Sequence, residues 1–181
     1  SAAVLHFFFQ RATEIVEKNN GRIHEFTGDG LLAIWDSSNT ESGESAYRAG
    51  LAMLEQINDQ LLETYALNGL EPLAVGIGIE QGPALIGSIG PAHRRAHALL
   101  GDTVTITLRI QELTADLAQP ILLGECVARQ IGSIQMQSQG SYLLAGLKNP
   151  HVLFAPAPVR SYSQTEKTSA KLMVLPGGKA R

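Results

Sequence analysis

The fold is decided by the stretch Phe26-Thr27-Gly28-Asp29-Gly30-Leu31-Leu32-Ala33-Ile34-Trp35. A lone acidic residue stands between two glycines, and an apolar segment lies on either side of them. This pattern predicts two strands, Ile23 to Thr27 and Leu31 to Trp35, folded about a tight turn. The turn would present the Asp29 carboxylate to a metal ion or a polyphosphate. A hairpin without any chemistry explains the same pattern equally simply.

Composition predicts one domain of ordinary globular character, residues 1–155, followed by a tail, residues 156–181. Of the 181 residues, 44% are hydrophobic and 17% are charged. No apolar run approaches the ~18 residues of a membrane-spanning helix. Cys126 is the only cysteine, so no internal disulfide can form. This fits a reducing compartment, and we expect a cytoplasmic location, alone or as part of a larger protein.

The charge of the chain is unevenly distributed. Residues 1–155 hold 9 Lys+Arg and 16 Asp+Glu, whereas residues 156–181 hold 5 and 1. An acidic body argues against a nucleic-acid partner. The basic tail contains proline, serine, threonine and lysine, which is typical of an extension or linker. It either contacts an acidic partner or lipid, or simply connects this domain to another.

Hydrophobic periodicity predicts interleaved helices and strands, and hence an α/β domain. The predicted helices cover residues 3–18, residues 46–68 and Glu125 to Ile131. Beyond the hairpin, the predicted strands are Leu73 to Ile79, Pro83 to Ile89, Ile121 to Leu123, Tyr142 to Leu144 and Val152 to Phe154. We expect the first two of these to pair with each other through a turn at Gln81-Gly82.

One segment supports two predictions. Apolar Val104, Ile106, Leu108 and Ile110 alternate with polar residues, which favours a strand. The Gly101-Asp102 lead-in and the length of the run to Leu117 favour a helix. The local pattern alone leans towards the strand.

A second group of motifs carries a family resemblance. The segment Gly76-Ile77-Gly78-Ile79-Glu80-Gln81-Gly82-Pro83-Ala84-Leu85-Ile86-Gly87-Ser88-Ile89-Gly90 is followed by Leu100-Gly101-Asp102-Thr103-Val104, by Arg109 and by the closing run Leu144 to Phe154. Together with the hairpin, these resemble the catalytic domain of class III nucleotidyl cyclases. The similarity extends over about residues 4 to 155, in the family's order and spacing.

The resemblance implies a ferredoxin-like fold with a central, mostly antiparallel sheet flanked by helices. It also implies a head-to-tail homodimer with two composite sites, downstream of a sensor domain. The implied reaction converts ATP or GTP into a 3′,5′-cyclic nucleotide and pyrophosphate, with two Mg²⁺ or Mn²⁺ ions per site. The family's first strand, which bears the first of two metal-binding aspartates, would precede residue 1 and is lacking from this sequence. Either the strand lies upstream of the sequence, or the protein does without it.

By position, Asp29 matches the second metal-binding aspartate of the family. Arg109 matches the arginine that stabilises the pentavalent transition state. This role suits a guanidinium group, which is planar and permanently charged. A surface ion pair of Arg109 with Glu112 or Asp116 is the structural alternative.

Several other positions depart from the family's pattern. Thr105 replaces the asparagine that orients the ribose. Glu25 and Ala98 occupy the base-recognition positions. Glu25 resembles guanylate cyclases, because a carboxylate accepts hydrogen bonds from guanine, so the pattern leans weakly to GTP. Glu25 is equally well explained as an outward strand residue near Arg22 or His24.

A basic cluster consists of His93, Arg94, Arg95 and His97. Arg94 and Arg95 would bind triphosphate oxygens, or else the cluster is a solvated loop.

Three functions follow from the resemblance. The first is an active nucleotidyl cyclase of a signal-transduction protein. The second is an inactive cyclase homology domain that serves as a dimerising, regulatory or nucleotide-sensing module. The third is the metal-holding half of a heterodimer, in which Ala98 and Thr105 would have no role.

Overall fold

The computed structural model describes residues 2–36, 38–68, 75–93, 96–132 and 135–157. In chain order the elements are α1 (Ala2–Lys18), β1 (Arg22–Thr27), β2 (Gly30–Ile34), α2 (Ser42–Asn68), β3 (Ile77–Ile79), β4 (Leu85–Ile89), β5 (Ala96–Leu100), α3 (Asp102–Asp116), β6 (Ile121–Gly124), α4 (Glu125–Gln130), β7 (Met136–Leu143) and β8 (Pro150–Pro156). Within this part of the chain no helix has the length and apolar character needed to span a bilayer. The predicted tail lies, from residue 158 onward, outside the described residues.

A four-stranded sheet in the order β3-β6-β8-β7 forms the centre of the fold. β6 runs parallel to β3, and β8 is antiparallel to both β6 and β7. The side chains of β6 are buried and alternate between two cores. Leu122 packs with Ile110 of α3 on one face, whereas Leu123 packs with Tyr47 of α2 and Val127 of α4 on the other. Helix α3 therefore lies on the opposite face of the sheet from α2 and α4.

The predicted hairpin is confirmed, and it forms a separate two-stranded antiparallel sheet. Leu31 and Ala33 pack against α1 in a third core that also contains residues of α2. The indole Nε1 of Trp35 donates a hydrogen bond to the Asn19 carbonyl at 2.8 Å, which ties the end of the hairpin to the end of α1. A side chain at Gly21 would collide with the Trp35 ring, so this position requires glycine.

The contested segment is a helix, and the strand pattern at residues 104–110 is misleading. Tertiary packing overrides it, since Ile106 and Ile110 face the core between α3 and the sheet. Two threonine hydroxyls in this helix make hydrogen bonds to backbone carbonyls. Thr107 Oγ1 donates to the Thr103 carbonyl at 2.7 Å, and Thr103 Oγ1 donates to the Pro83 carbonyl at 2.8 Å.

The predicted pairing of the strand at 73–79 with the strand at 83–89 is wrong. β3 pairs instead with the buried strand β6, which offers a wholly apolar partner. β4 pairs with β5, a strand that the sequence pattern did not predict. Residues 80–84 are not in a strand, so they connect two different sheets rather than the arms of one hairpin.

Glycine allows α3 to lie directly on β3. An ideal Cβ at Gly78 would stand 2.5 Å from the Gln111 nitrogen and 2.8 Å from the Thr107 carbonyl oxygen, both in the α3 backbone. These atoms cannot move without moving the helix. The glycine therefore fixes the distance between α3 and the sheet.

Replacement of Gly78 by alanine tests this contact. We expect Gly78→Ala to lower the free energy of unfolding by about 1–3 kcal/mol, because overpacking forces the backbone to shift. Urea denaturation followed by circular dichroism measures the change. Gly132→Ala is the matched control, since a Cβ there meets no atom within 4 Å. Equal losses in the two variants would contradict the proposed role of Gly78.

A half-buried carboxylate joins the end of β3 to α4. Glu80 Oε1 accepts hydrogen bonds from the backbone nitrogens of Gln81 at 2.8 Å and Val127 at 3.2 Å. A side chain at Gly124 would collide with the same carboxylate. Burial raises the pKa of Glu80 above its ordinary value, and the backbone hydrogen bonds offset this only in part.

The raised pKa of Glu80 predicts a pH-dependent stability. A carboxyl group whose pKa is higher in the folded state contributes stability that is complete below its unfolded pKa and is lost as pH rises through its folded pKa. Relative to Glu80→Gln, the wild-type protein should therefore become less stable as pH rises from below 4.5 towards neutrality. Urea titrations of both proteins across this interval measure the difference. A difference that stays constant, or that moves in favour of the wild type, would show that burial does not dominate at Glu80.

Candidate functional site

Asp29 lies at the tip of the hairpin, in a two-residue turn between Thr27 and Gly30. Gly28 has a φ of 51°, whereas Asp29 does not have a positive φ. Glycine with positive φ at the first central position is the pattern of a type II′ turn, whose twist matches that of the flanking strands. The Asp29 side chain is exposed and makes no hydrogen bond or ion pair with any described residue. The turn thus presents a carboxylate to solvent.

A β-bulge determines which way Glu25 faces. In the register of the hairpin, Ile23 opposes Ala33 and Glu25 opposes Leu32, so His24 is the extra residue. Side chains directly opposite each other in an antiparallel pair lie on the same face. Ala33 belongs to the face that packs on α1, so Glu25 lies on the other face. It is exposed there, as expected for a residue that binds a ligand or faces solvent.

Thr105 and Arg109 lie one turn apart on α3, on a side of the helix that faces neither β3 nor the core. The residues that contact β3 are Thr107 and Gln111, and Ile110 fills the core. Residues four apart in a helix are neighbours on its surface. The helix therefore brings Thr105 and Arg109 together, as their spacing predicts.

The Arg109 guanidinium is held by two elements. Its Nη1 donates to both carboxylate oxygens of Glu112 at 2.9 Å, and its Nε donates to the Ala145 carbonyl at 3.2 Å. The ion pair with Glu112 is one of the two alternatives that the sequence suggested. The Arg109 side chain is 39% exposed and that of Glu112 is 56% exposed. An exposed pair at this spacing stabilises a protein by only about 0.3–0.5 kcal/mol.

The remaining predicted site residues are Ala98, Arg94 and Arg95. Ala98 is half-buried in β5, opposite Gly87, and β5 leads directly into the start of α3. Arg94 and Arg95 lie outside the described residues, so their predicted contacts with a triphosphate remain a prediction. His93, the first residue of the same cluster, is exposed.

The described residues do not complete a metal site. Among them, no group of three or more His, Cys, Asp or Glu side chains could hold an ion together. Asp29 is a suitable oxygen ligand for Mg²⁺ or Mn²⁺, but a two-metal site needs several such ligands. Any ion at Asp29 would need further ligands from outside this set of residues.

Sequence patterns missed the second contact of Arg109. Ala145 and Gly146 belong to the closing motif, which marked a family resemblance but assigned no role to the individual residues. The backbone carbonyl of Ala145 bonds to Arg109 across 36 positions of sequence. No local pattern links the two residues, since the contact depends on the docking of α3 against the β7–β8 connection.

A family model described as the adenylate and guanylate cyclase catalytic domain matches residues 2–155. The chain belongs to this family. The match includes the hairpin, α3 and the β7–β8 connection, so every described element lies within it or reaches its edge.

Individual relatives of this cyclase domain agree with the family match. Adenylate cyclase 1 of Rhizobium meliloti is 29% identical over 130 residues, which are 71% of this chain and 19% of that protein. The chain thus spans about a fifth of the length of this curated relative. The crystal structure of the guanylyl cyclase Cya2 superposes with a TM-score of 0.73 at 26% sequence identity. The match covers 89% of this chain and 82% of the Cya2 chain.

A more distant structure shows likeness of fold. The adenylyl cyclase CyaB from P. aeruginosa has a TM-score of 0.76 at 19% identity, over 88% of this chain and 83% of that chain. The mixed α and β architecture of this cyclase domain, with a mostly antiparallel central sheet, is therefore confirmed.

Proposed function

We propose that this cyclase domain converts a purine nucleoside triphosphate into a 3′,5′-cyclic nucleotide and pyrophosphate for signalling. The ribose 3′-hydroxyl loses its proton to water, and its oxygen forms a bond to the α-phosphorus. The bond between the α-phosphorus and the oxygen of the β-phosphate breaks, and pyrophosphate leaves with the electron pair. Negative charge on the phosphate oxygens increases on the way to the transition state, so a fixed cation there accelerates the reaction.

The observation that carries this proposal is the outward placement of Asp29 and Arg109 in a chain that belongs to the family over residues 2–155. Asp29 lies on the hairpin sheet, whereas Arg109 lies on a helix that packs against the four-stranded sheet. Two charged groups presented to solvent from separate sheets suit a site that is completed by a second copy. In this arrangement Asp29 of one copy and Arg109 of the other act on one nucleotide.

Arg109 supplies the fixed cation in this proposal. Its guanidinium is permanently charged and is oriented by Glu112 and by the Ala145 carbonyl. In a water-excluded site, an oriented donor of this kind is worth far more than in bulk water. Among the described residues of the proposed site, Asp29 would hold a divalent cation, which would offset the negative charge of the phosphates.

Glu25 favours GTP over ATP in this proposal. A carboxylate accepts hydrogen bonds from the N1–H and the 2-amino group of guanine, and adenine has neither donor at those positions. The bulge at His24 supports this role, because it keeps Glu25 on the face turned away from α1. Ala98 adds no hydrogen bond, so we expect the preference for GTP to be modest.

The β4–β5 hairpin supports association between copies. All five residues of β4 are exposed, and Leu85 is 75% exposed. Ile86, Ile89 and Leu100 are each more than half exposed, and they occupy both faces of the hairpin. The hairpin pairs with no further strand of the described chain. An apolar patch of this kind marks an interaction surface, and we propose that it contacts a second copy.

Ala98 and Thr105 favour a second candidate function. Neither side chain can place an amide or carboxylate on the nucleotide, so a homodimer would lack part of the usual base and ribose contacts. This domain would then bind a nucleotide without turning it over, or would supply only the Asp29 half of a heterodimeric site. Binding of a fluorescent GTP analogue without formation of any cyclic product identifies this alternative.

Substitutions at Arg109 and Asp29 test the catalytic proposal. We expect Arg109→Ala and Asp29→Asn each to lower the rate of cyclic-nucleotide formation by about 10²–10³-fold. The first removes the cation that stabilises the phosphates, and the second removes a carboxylate that would hold a divalent cation beside them. Product is measured by chromatography with ATP and with GTP, each with Mg²⁺ and with Mn²⁺.

Two charge changes away from the proposed site serve as controls. Arg129 pairs with Glu125 on α4, on the opposite face of the sheet from α3, so Arg129→Ala should retain full activity. Asp116→Asn, at the end of α3, is the control for Asp29→Asn. Absence of cyclic product from the wild-type protein with either nucleotide would overturn the proposal.

The dimer surface is tested by Leu85→Gln. If Leu85 is buried between copies, its loss should weaken self-association by at least about tenfold, since burying a leucine contributes about 1.5–3 kcal/mol. Sedimentation equilibrium measures the dissociation constant. Leu51→Gln changes an exposed leucine on α2 and should leave the constant unchanged. A strictly monomeric wild-type protein, or equal effects of the two variants, would contradict this surface.

A further inference from the structure

The orientation of Arg109 depends on contacts from two separate elements. Glu112, three residues later on α3, accepts from Nη1 with both carboxylate oxygens. Ala145, in the connection between β7 and β8, accepts from Nε. Nη2 makes no hydrogen bond with any described residue. The guanidinium is therefore held at two of its three nitrogens, while the N–H groups of Nη2 are left for an anion.

A tight turn fixes the orientation of the Ala145 carbonyl. The Leu147 nitrogen donates to the Leu144 carbonyl at 3.1 Å, which closes a four-residue turn with Ala145 and Gly146 at its centre. Gly146 has a φ of 84°, and Ala145 does not have a positive φ. This combination is a type II turn, which requires glycine at its third position. Leu144 is buried in the core between α3 and the sheet, so the turn is anchored beside α3.

The turn type decides where the Ala145 carbonyl points. Type I and type II turns differ by a rotation of the central peptide, which here is the peptide between Ala145 and Gly146. A residue with a side chain at position 146 favours the type I form and would turn the carbonyl away from Arg109. The effect would come from the backbone alone, because a Cβ at Gly146 meets no atom within 4 Å.

We propose that Glu112 and the Leu144–Leu147 turn form a positioning clamp for Arg109. Through the Ala145 carbonyl, Gly146 helps to hold the guanidinium in one orientation, with Nη2 available to a phosphate oxygen of the nucleoside triphosphate. Glu112 and Gly146 are positioning residues that do not touch substrate. The inference rests on the proposed function, since it assigns the clamp a part in the same reaction.

Kinetics of two variants test the clamp. Loss of orientation affects the transition state more than binding, so Glu112→Gln and Gly146→Ala should each lower kcat by about tenfold and change KM by less than about twofold. Gly146→Asn should recover most of kcat, because asparagine tolerates positive φ better than alanine does. In an Arg109→Ala background, neither Glu112→Gln nor Gly146→Ala should lower kcat further.

Matched controls separate the clamp from general strain and general loss of charge. Gly140→Ala places alanine at another positive φ, 102°, in β7, where the atoms nearest to its Cβ belong to Tyr142 and lie at ordinary contact distances of 3.5–3.7 Å. Glu125→Gln breaks a surface ion pair with Arg129 on the opposite face of the sheet. Both controls should keep the wild-type kcat. If Glu112→Gln and Gly146→Ala behave like these controls in an active protein, the clamp is overturned and the proposed function stands.

A measurement without turnover tests the clamp separately from the proposed function. The Nε–H of Arg109 should give a ¹⁵N–¹H NMR signal protected from exchange with water, assigned by its loss in Arg109→Lys. Gly146→Ala should abolish the protection, and Gly140→Ala should preserve it. A wild-type protein that forms no product overturns the proposed function, and this signal then decides the clamp alone. Protection that persists in Gly146→Ala overturns the clamp.

Discussion

The contact between the backbones of α3 and β3 is the constraint on which the rest of the structure depends. Gly78 has no side chain towards α3, and a Cβ there would collide with the α3 backbone, whereas a Cβ at Gly76 would collide with the Thr114 side chain. The helix consequently lies close to the sheet and buries Ile110 and Leu122 in one core. The same contact turns Thr105 and Arg109 outward. Core packing and the placement of the proposed site are thus two results of one steric condition.

The local chemistry of Arg109 depends on this packing. Docking of α3 brings the guanidinium within hydrogen-bond distance of a backbone carbonyl in the β7–β8 connection. Neither the exposed ion pair with Glu112 nor this single hydrogen bond contributes much to stability. Their value lies in orientation, since a cation acts on a developing charge only if it is held in place beforehand. Asp29 shows the opposite arrangement, because a tight turn presents it without a hydrogen bond or ion pair to any residue in the described part of the chain.

The sequence predicted the hairpin and the first two helices well, because turn glycines and helical periodicity are local signals. It did not show whether residues 104–110 form a strand or a helix. The alternation of Val104, Ile106 and Leu108 with polar residues is typical of a strand, and only tertiary packing selects the helix α3. The partner of β3 was also mispredicted. Strand pairing is a non-local property, and nothing between positions 80 and 84 shows that the chain leaves one sheet there for another.

For the site residues too, local signals were predictable from the sequence and non-local contacts were not. Motif spacing located Asp29 and Arg109, and it suggested Glu112 as a partner of Arg109 because helical neighbours are separated by three or four residues. The Ala145 carbonyl could not be foreseen, since a backbone group carries no sequence signature and lies 36 positions away. Glycine at position 146 was visible in the sequence, but its importance depends on the turn type that the structure shows.

If one site is shared between two copies, then mixing two inactive variants should restore activity. Asp29→Asn and Arg109→Ala are purified separately, mixed in equal amounts and allowed to exchange subunits. Half of the dimers would then be mixed, each with one intact site, so about a quarter of the wild-type rate of cyclic-nucleotide formation should return. A mixture no more active than the separate variants, despite verified subunit exchange, would show that the two copies do not share a site.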